Sequence, residues 1–317
     1  MDMATEAHHA SRFNLGDPAP IIVAGATAVG KSAVALALAE RVDGEIISVD
    51  SMQVYRGLDI GTAKPSSAER RRVPHHLLDV VEVSQPFDGA QFVRLANTAV
   101  AEIQKRGRVP ILCGGTGLYF KAFLEGLDEA PPADAALRAE LEVSPLPQLL
   151  RELEQRDPDA FARIDRENPR RVIRALEVIR LTGRRWSAQP SSWNAECGPR
   201  TADRFFCLRR GAEDGRARIE ARVDEMFARG LVLETEQLLE RGLAGNRTAM
   251  QAIGYRQVVE HLRGERSLEE TIGLIKQRTR QFAKRQMTWF RRQFKAQWRT
   301  VEPEAGAEEV ADLLLKP

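Results

Sequence analysis

Cysteine is scarce in this 317-residue chain. Cys113, Cys197 and Cys207 are the only three, an odd number with no C-x-x-C pair, which excludes a disulfide framework and a cysteine-rich zinc site. A reducing, cytoplasmic setting is expected. Long apolar runs are missing as well: no uncharged stretch reaches the ~18 residues of a membrane-crossing helix, and the first twenty residues hold no apolar run of signal-peptide length. No internal repeat is present. A large net charge is also lacking, since the balance is only +2; that total implies no anionic partner, although a modest sum can conceal a local basic region. What is present, 43% hydrophobic and 29% charged residues, suffices for a sizeable core and a second subdomain. Residues 1–18 read as a mobile tail, with His8 and His9 as solvated residues rather than metal ligands.

The first chemical signal follows Ile21-Ile22-Val23, a short apolar run. It ends in Gly25-Ala26-Thr27-Ala28-Val29-Gly30-Lys31-Ser32, after which Ala33 to Glu40 has strong helix propensity. Strand, glycine loop and helix in this order, with G-x-x-x-x-G-K-S spacing, make a phosphate cradle. Loop N–H groups and the helix N-terminus meet the phosphates, Lys31 adds a point charge, and the Ser32 hydroxyl can serve Mg²⁺. The loop establishes a diphosphate or polyphosphate site without saying which. Apolar runs at Glu45–Val49, Leu77–Val83 and Val109–Leu112 then alternate with helical stretches such as Ala90–Lys105. This rhythm predicts an α/β fold, a P-loop nucleoside-triphosphate-hydrolase-like parallel sheet. Ligands of such sheets sit at the carboxyl ends of the strands, which nominates Asp50 and Thr116, the latter just past Gly114-Gly115. Asp50 could equally cap a turn, and Thr116 could bond backbone within its own turn.

From about Gly126 to Gly198 the alternation breaks, and prolines punctuate helical patterns such as Leu146–Gln155. Arg204–Leu208 then looks like a strand returning to the sheet. The expected organisation is a core of residues 19–125 and 199–317, with a helical insertion lobe over 126–198. Within the lobe, Asn168 and Pro169 open a helix over Arg170–Leu181 whose first turns hold Arg170, Arg171 and Arg174. Cations there oppose the helix dipole, so either an anionic partner or salt bridges to Glu167 and Glu177 should answer them. A helix over Gly215–Arg229 puts Arg218 and Arg222 on one face, where they can reach a phosphate or pair with Glu225 or Asp214.

Acidic residues are absent from Thr271–Thr300, which carries nine lysines and arginines with Phe282, Trp289, Phe290, Phe294 and Trp298 among them. Arg278, Arg285, Arg292 and Arg299 recur every seven residues and would form one ridge of a helix, with Lys284 and Arg291 beside it. A solvated face usually mixes signs, so this ridge points to nucleic acid. Met287, Phe290 and Phe294, at helical spacing, read as core.

Several blocks together resemble the tRNA dimethylallyltransferases, or tRNA isopentenyltransferases, of bacterial type. They are the phosphate loop, I-S-V-D-S-M-Q-V-Y-R-G-L-D-I-G-T-A-K-P at Ile47–Pro65, P-H-H-L-L-D at Pro74–Asp79, G-G-T-G-L-Y-F at Gly114–Phe120, R-R-V-I-R-A-L-E at Arg170–Glu177, Q-A-I-G-Y-R-Q at Gln251–Gln257 and K-R-Q-M-T-W-F-R at Lys284–Arg291. The loop departs slightly, since the family more often has proline second and serine fifth, where Ala26 and Val29 neighbour Thr27 and Ala28.

The resemblance implies Mg²⁺-dependent transfer of a dimethylallyl group from its diphosphate to the adenosine 3′ of the anticodon, in tRNAs reading codons that begin with U. It further implies that Thr27–Ser32 hold the diphosphate, Asp50 is the general base, Thr116 supports the acceptor amine and Arg222 contacts the diphosphate. By the same transfer the anticodon stem-loop meets Asp50, Ser51, Met52 and Gln53, then Thr116 and Arg138, then Arg170, Arg171, Val172, Ile173 and Arg174. Gln251, Ala252, Ile253, Gly254, Tyr255 and Arg256 form another implied contact, and Lys284, Arg285, Gln286 and Met287 with Thr288, Trp289, Phe290 and Arg291 the last. A monomer with no membrane partner is expected. Three alternatives remain at this point: a small-molecule P-loop kinase, an adenylate isopentenyltransferase, and an RNA-binding protein with a regulatory nucleotide site.

Overall fold

A computed structural model describes residues 19–126, 131, 134–188 and 203–316. The proposed tail, His8, His9 and Cys197 lie outside the described residues. Those described fall into two compact units, one within Met1–Leu124 and Glu196–Pro317, the other within Glu125–Ala195.

The first unit is built on a six-stranded sheet in the order β3-β2-β4-β1-β5-β6, with β1 Ile21–Gly25, β2 Gly44–Val49, β3 His75–His76, β4 Val109–Gly114, β5 Phe205–Arg209 and β6 Gln297–Thr300. Every pairing is parallel. Strands β1, β2 and β4 are buried along their whole length, as a parallel sheet covered on both faces requires. Helices α1 Lys31–Arg41, α2 Ser67–Arg72, α3 Gly89–Lys105 and α4 Gly117–Glu125 follow β1 to β4 in this unit. The second unit contains α5 Ala135–Val143, α6 Leu146–Arg156, α7 Pro158–Arg163 and α8 Pro169–Thr182. The first unit resumes with α9 Ala212–Ala228, α10 Leu231–Glu240, α11 Tyr255–Leu262, α12 Leu268–Gln293 and α13 Ala307–Leu315.

Side chains alternate across each strand and so feed two cores. Ile22, Ala24, Leu112, Phe205 and Cys207 pack toward α3, α4 and α9–α12. Ile21, Val23, Ile111, Phe206 and Leu208 pack toward α1 and α13. In the second unit, Leu141, Leu149, Leu153, Val172 and Leu176 form a separate core, and the buried Asp157 caps α7 by accepting the Ala160 N–H at 3.0 Å. Among the described residues no helix is long and apolar enough to cross a membrane.

Two expectations from the sequence are corrected. Leu77–Val83 is no sheet strand: β3 stops at His76, because Leu77 and Asp79 adopt left-handed backbone (φ 61° and 54°) that an extended strand cannot contain. The buried Lys64 ammonium holds this bend, donating to Asp79 at 2.7 Å, to Asp59 at 2.6 Å and to the Tyr55 carbonyl at 2.8 Å. Nor do four arginines share a helical ridge. The α12 helix ends where Phe294 turns extended, and Arg299 lies on β6, paired in register with Leu208. The ridge is Arg278, Arg285 and Arg292.

At the amino end of β2, away from the strand ends that carry the loop, the buried Glu45 accepts from Arg106 at 2.7 and 3.0 Å and from His76 at 2.6 Å. Burial pushes this carboxyl up, yet the bonds from Arg106 and His76 outweigh it and hold the group at about 2, below the ordinary 4.5. A depressed carboxyl stabilises the fold fully above its unfolded value and ceases to do so as pH falls through the folded one. Wild type should therefore exceed Glu45→Gln in melting temperature at pH 6, and the margin should close between about pH 4.5 and pH 2. A margin independent of pH would show that the carboxylate charge contributes nothing.

Candidate active site

The carboxyl ends of three adjacent strands, β1, β4 and β2, converge on one cleft of the first unit. After β1 the chain makes the phosphate loop, in which Ala28 (φ 62°) and Gly30 (φ 98°) are left-handed, ahead of α1. Ala28 occupies a conformation that costs a non-glycine residue ~1 kcal/mol, strain of the kind found at ligand sites. Lys31 opens α1, with its ammonium 3.3 Å from the Ala26 carbonyl. Burial lowers its pKa, with Arg222 acting in the same direction and the Asp50 charge opposing. A partly buried cation flanked by a guanidinium and an open loop suits an incoming anion.

Asp50 leaves β2 in a turn and takes up the capping role that its residue type allowed, since its Oδ1 accepts the N–H groups of Met52 at 2.8 Å and Gln53 at 3.3 Å. The cap fixes the carboxylate in place and leaves Oδ2 as the second oxygen. Thr116 is tied to the same turn: its N–H donates to the Val49 carbonyl at 3.2 Å and its Oγ1 accepts the Ser51 N–H at 3.1 Å. The Asp50 and Thr116 loops are thus laced together.

Arg222 reaches the cleft from α9, half-buried, with Nη2 3.5 Å from the Thr62 carbonyl. Burial lowers its pKa, and the nearby Asp50 charge acts the other way. Arg218, one turn earlier, donates to the Ala28 carbonyl at 3.2 Å. Salt bridging to Glu225 or Asp214 does not hold these two arginines, because Glu225 lies by Arg229 and Asp214 by Arg210. Arg210 itself donates to the Val29 carbonyl at 2.9 Å. Sequence reasoning missed Arg210, whose only signal was its place just after β5. It also gave no inward role to Gln53, whose side chain accepts from Ser48 at 2.8 Å and donates to the Thr62 carbonyl at 3.2 Å.

The contiguous stretches named for tRNA contact divide by face. Val172, Ile173, Ala252, Tyr255 and Phe290 are core residues, so their side chains cannot meet a partner; helical periodicity turns them inward. Tyr255 instead donates to Glu234 at 2.6 Å, while Glu234 accepts the Ile60 N–H at 2.9 Å. Met287, Ile253 and Trp289 are partly buried. Arg171, Gln251, Arg256, Lys284, Arg285, Thr288 and Arg291 are exposed. On α12, Lys276 is paired with Asp224 and Arg280 with Glu220, whereas Arg278, Lys284, Arg285 and Arg292 have no carboxylate partner among the described residues. In the second unit, the fully buried Glu177 takes Arg138 at 2.6 Å and Arg174 at 2.7 Å, so the intramolecular answer holds for Arg174.

Comparison with known proteins gives one consistent family. The model of the family described as IPP transferase matches residues 53–293. The tRNA dimethylallyltransferase of Geobacter metallireducens is 50% identical over 286 residues, covering 88% of this chain and 91% of that protein. The tRNA dimethylallyltransferase 1 of Trichlorobacter lovleyi is 47% identical, with coverage of 89% and 93%. Among solved structures, the tRNA isopentenylpyrophosphate transferase of Bacillus halodurans superposes with a TM-score of 0.69 at 38% identity, covering 94% of this chain and 95% of that one. A eukaryotic dimethylallyltransferase acting on tRNA superposes at 0.74 with 29% identity, covering 90% of this chain and 74% of that one.

Proposed function

The chain belongs to the tRNA dimethylallyltransferase family, and from its site geometry we propose how it transfers the prenyl group and to which base. The observation that carries the reading is the placement of a phosphate loop, Lys31 and Arg222 within the same cleft as the Asp50 carboxylate. The donor is dimethylallyl diphosphate, and the acceptor is the exocyclic amine of the adenosine 3′ of the anticodon, in tRNAs reading codons that begin with U.

An allylic carbon–oxygen bond ionises readily, whereas an adenine amine is a weak nucleophile, so leaving-group stabilisation dominates. As that bond breaks, diphosphate gains charge, and loop N–H groups, Lys31 and Arg222 stabilise the developing anion more than the bound donor. The amine nitrogen bonds to the allylic carbon and passes its proton to Asp50, while Thr116 steadies the amine. Among the described residues there is no cluster of three or more His, Cys, Asp or Glu able to cage a metal. The exposed Ser32 hydroxyl would be the protein's ligand to Mg²⁺, which would neutralise phosphate charge. The target base must leave its stack to reach the cleft, a cost that phosphate contacts with the exposed α12 cations offset.

Incubation with Mg²⁺, radiolabelled dimethylallyl diphosphate and either unmodified tRNA or adenylate tests the acceptor. Label in tRNA is expected; label only in adenylate would assign the small-acceptor reaction, and none in either would return the loop to a kinase. Arg285→Glu with Arg292→Glu should weaken tRNA binding and make its log–log salt dependence shallower by about 1.5, because each lost phosphate contact removes ~0.7–0.9 from the slope. An unchanged slope would remove this ridge from the RNA surface.

A further inference from the structure

The β1–β4 ladder ends at the pair Ala24 and Gly114. Past it the two chains part, one to form the phosphate loop and the other to carry Thr116. One side chain spans them beyond the last rung. Gln286, on α12 and 8% exposed, accepts the Thr27 N–H through Oε1 at 2.9 Å and donates through Nε2 to the Gly115 carbonyl at 2.8 Å. Both halves of its amide are thereby used, one on each loop.

We propose that Gln286 is a positioning residue that sets the spacing between the donor-diphosphate loop and the Thr116 turn, and so the distance from leaving group to acceptor amine. The proposal rests on the prenyl-transfer reading of the cleft. Three features support it. First, the two bonds fall where backbone pairing has stopped, so no ladder bond fixes the gap there. Second, the amide is buried, and a low-exposure site strengthens such bonds and makes leaving them unmade costly. Third, the fit is tight: a Cβ added at Gly115 would stand 2.4 Å from Gln286 Nε2, against 3.3 Å from its next nearest neighbour, the Gly25 carbonyl oxygen. Gly115 thereby admits the amide end-on. Lys284 and Arg285, just before Gln286, are exposed, so a single turn of α12 has an exposed basic face and an inward face on the donor loop.

Gln286→Met keeps the length and volume and removes both bonds. With both substrates saturating, kcat should fall about 10²-fold, the cost of misplacing reacting groups by roughly 1 Å. The KM for dimethylallyl diphosphate should rise about five- to tenfold, reflecting a loop that has lost one of its braces. tRNA affinity should stay near wild type. A merely destabilised enzyme would lose active fraction without the change in donor KM. If Gln286→Met does not fold, Gly115→Ala displaces the amide without deleting it and should give the same split. Calorimetric titration with inorganic diphosphate separates this proposal from the prenyl-transfer reading: weakened binding in Gln286→Met supports the brace even where wild type transfers no prenyl group. Unchanged kcat and unchanged diphosphate binding, or a loss confined to tRNA affinity, would overturn it.

Discussion

Asp50→Asn should lower turnover by about 10²–10⁴-fold while leaving tRNA affinity close to wild type, the range expected when a positioned proton acceptor is removed. Asparagine is the informative replacement because Asp50 caps a turn besides the base role proposed for it. Its Oδ1 accepts the Met52 and Gln53 N–H groups, and an asparagine oxygen can keep both bonds while being unable to take a proton. Asp50→Ala removes the cap as well, at a further ~1 kcal/mol of local stability, so its defect mixes chemistry with a loosened turn. Comparing the two variants in turnover and melting temperature divides those contributions. Near-normal turnover in Asp50→Asn would remove this residue from the base role.

Arg222→Gln should cost about 10²–10³-fold, the scale for removing one donor aimed at developing charge, and more in kcat than in donor KM. The guanidinium is half-buried, its pKa is lowered by burial, and its hydrogen bond to the Thr62 carbonyl is long, at 3.5 Å. Such a group gains most when diphosphate charge appears beside it. Arg218, exposed and bonded to the Ala28 carbonyl, should give a smaller loss when replaced by glutamine. Equal losses at the two positions would mean that α9 acts through general positive charge rather than through a placed donor.

Features carried by contiguous sequence were legible before the fold was known. The strand, loop and helix of residues 21–41 are one run whose spacing encodes the turn, and β1 and α1 fall where that spacing puts them. Asp50 and Thr116 could be nominated because parallel sheets present ligands at strand ends, although β2 and β4 are adjacent only through the crossover topology. What pattern could not reveal were bonds made across long separations. The left-handed bend at Leu77 and Asp79 hides inside an apolar run and depends on the Lys64 ammonium. The four-residue strand β6 hides inside a basic segment, and its register comes from β5. Gln286 directly follows the exposed Lys284 and Arg285, and its inward role depends on Thr27 and Gly115, 259 and 171 residues away. The exposure of single residues within the implied contact stretches follows the helical period, which a transferred motif does not record.

The most direct measurement is the location of the product within tRNA. Wild-type enzyme, Mg²⁺, labelled dimethylallyl diphosphate and an unmodified tRNA reading codons that begin with U are incubated, the tRNA is cut with a base-specific nuclease, and the labelled fragment is identified. A cleft that draws an unstacked adenine to Asp50 and Thr116 predicts all label in the anticodon-loop fragment, on the adenosine 3′ of the anticodon. Label spread over other adenosines, or a labelled fragment from another arm, would contradict the account.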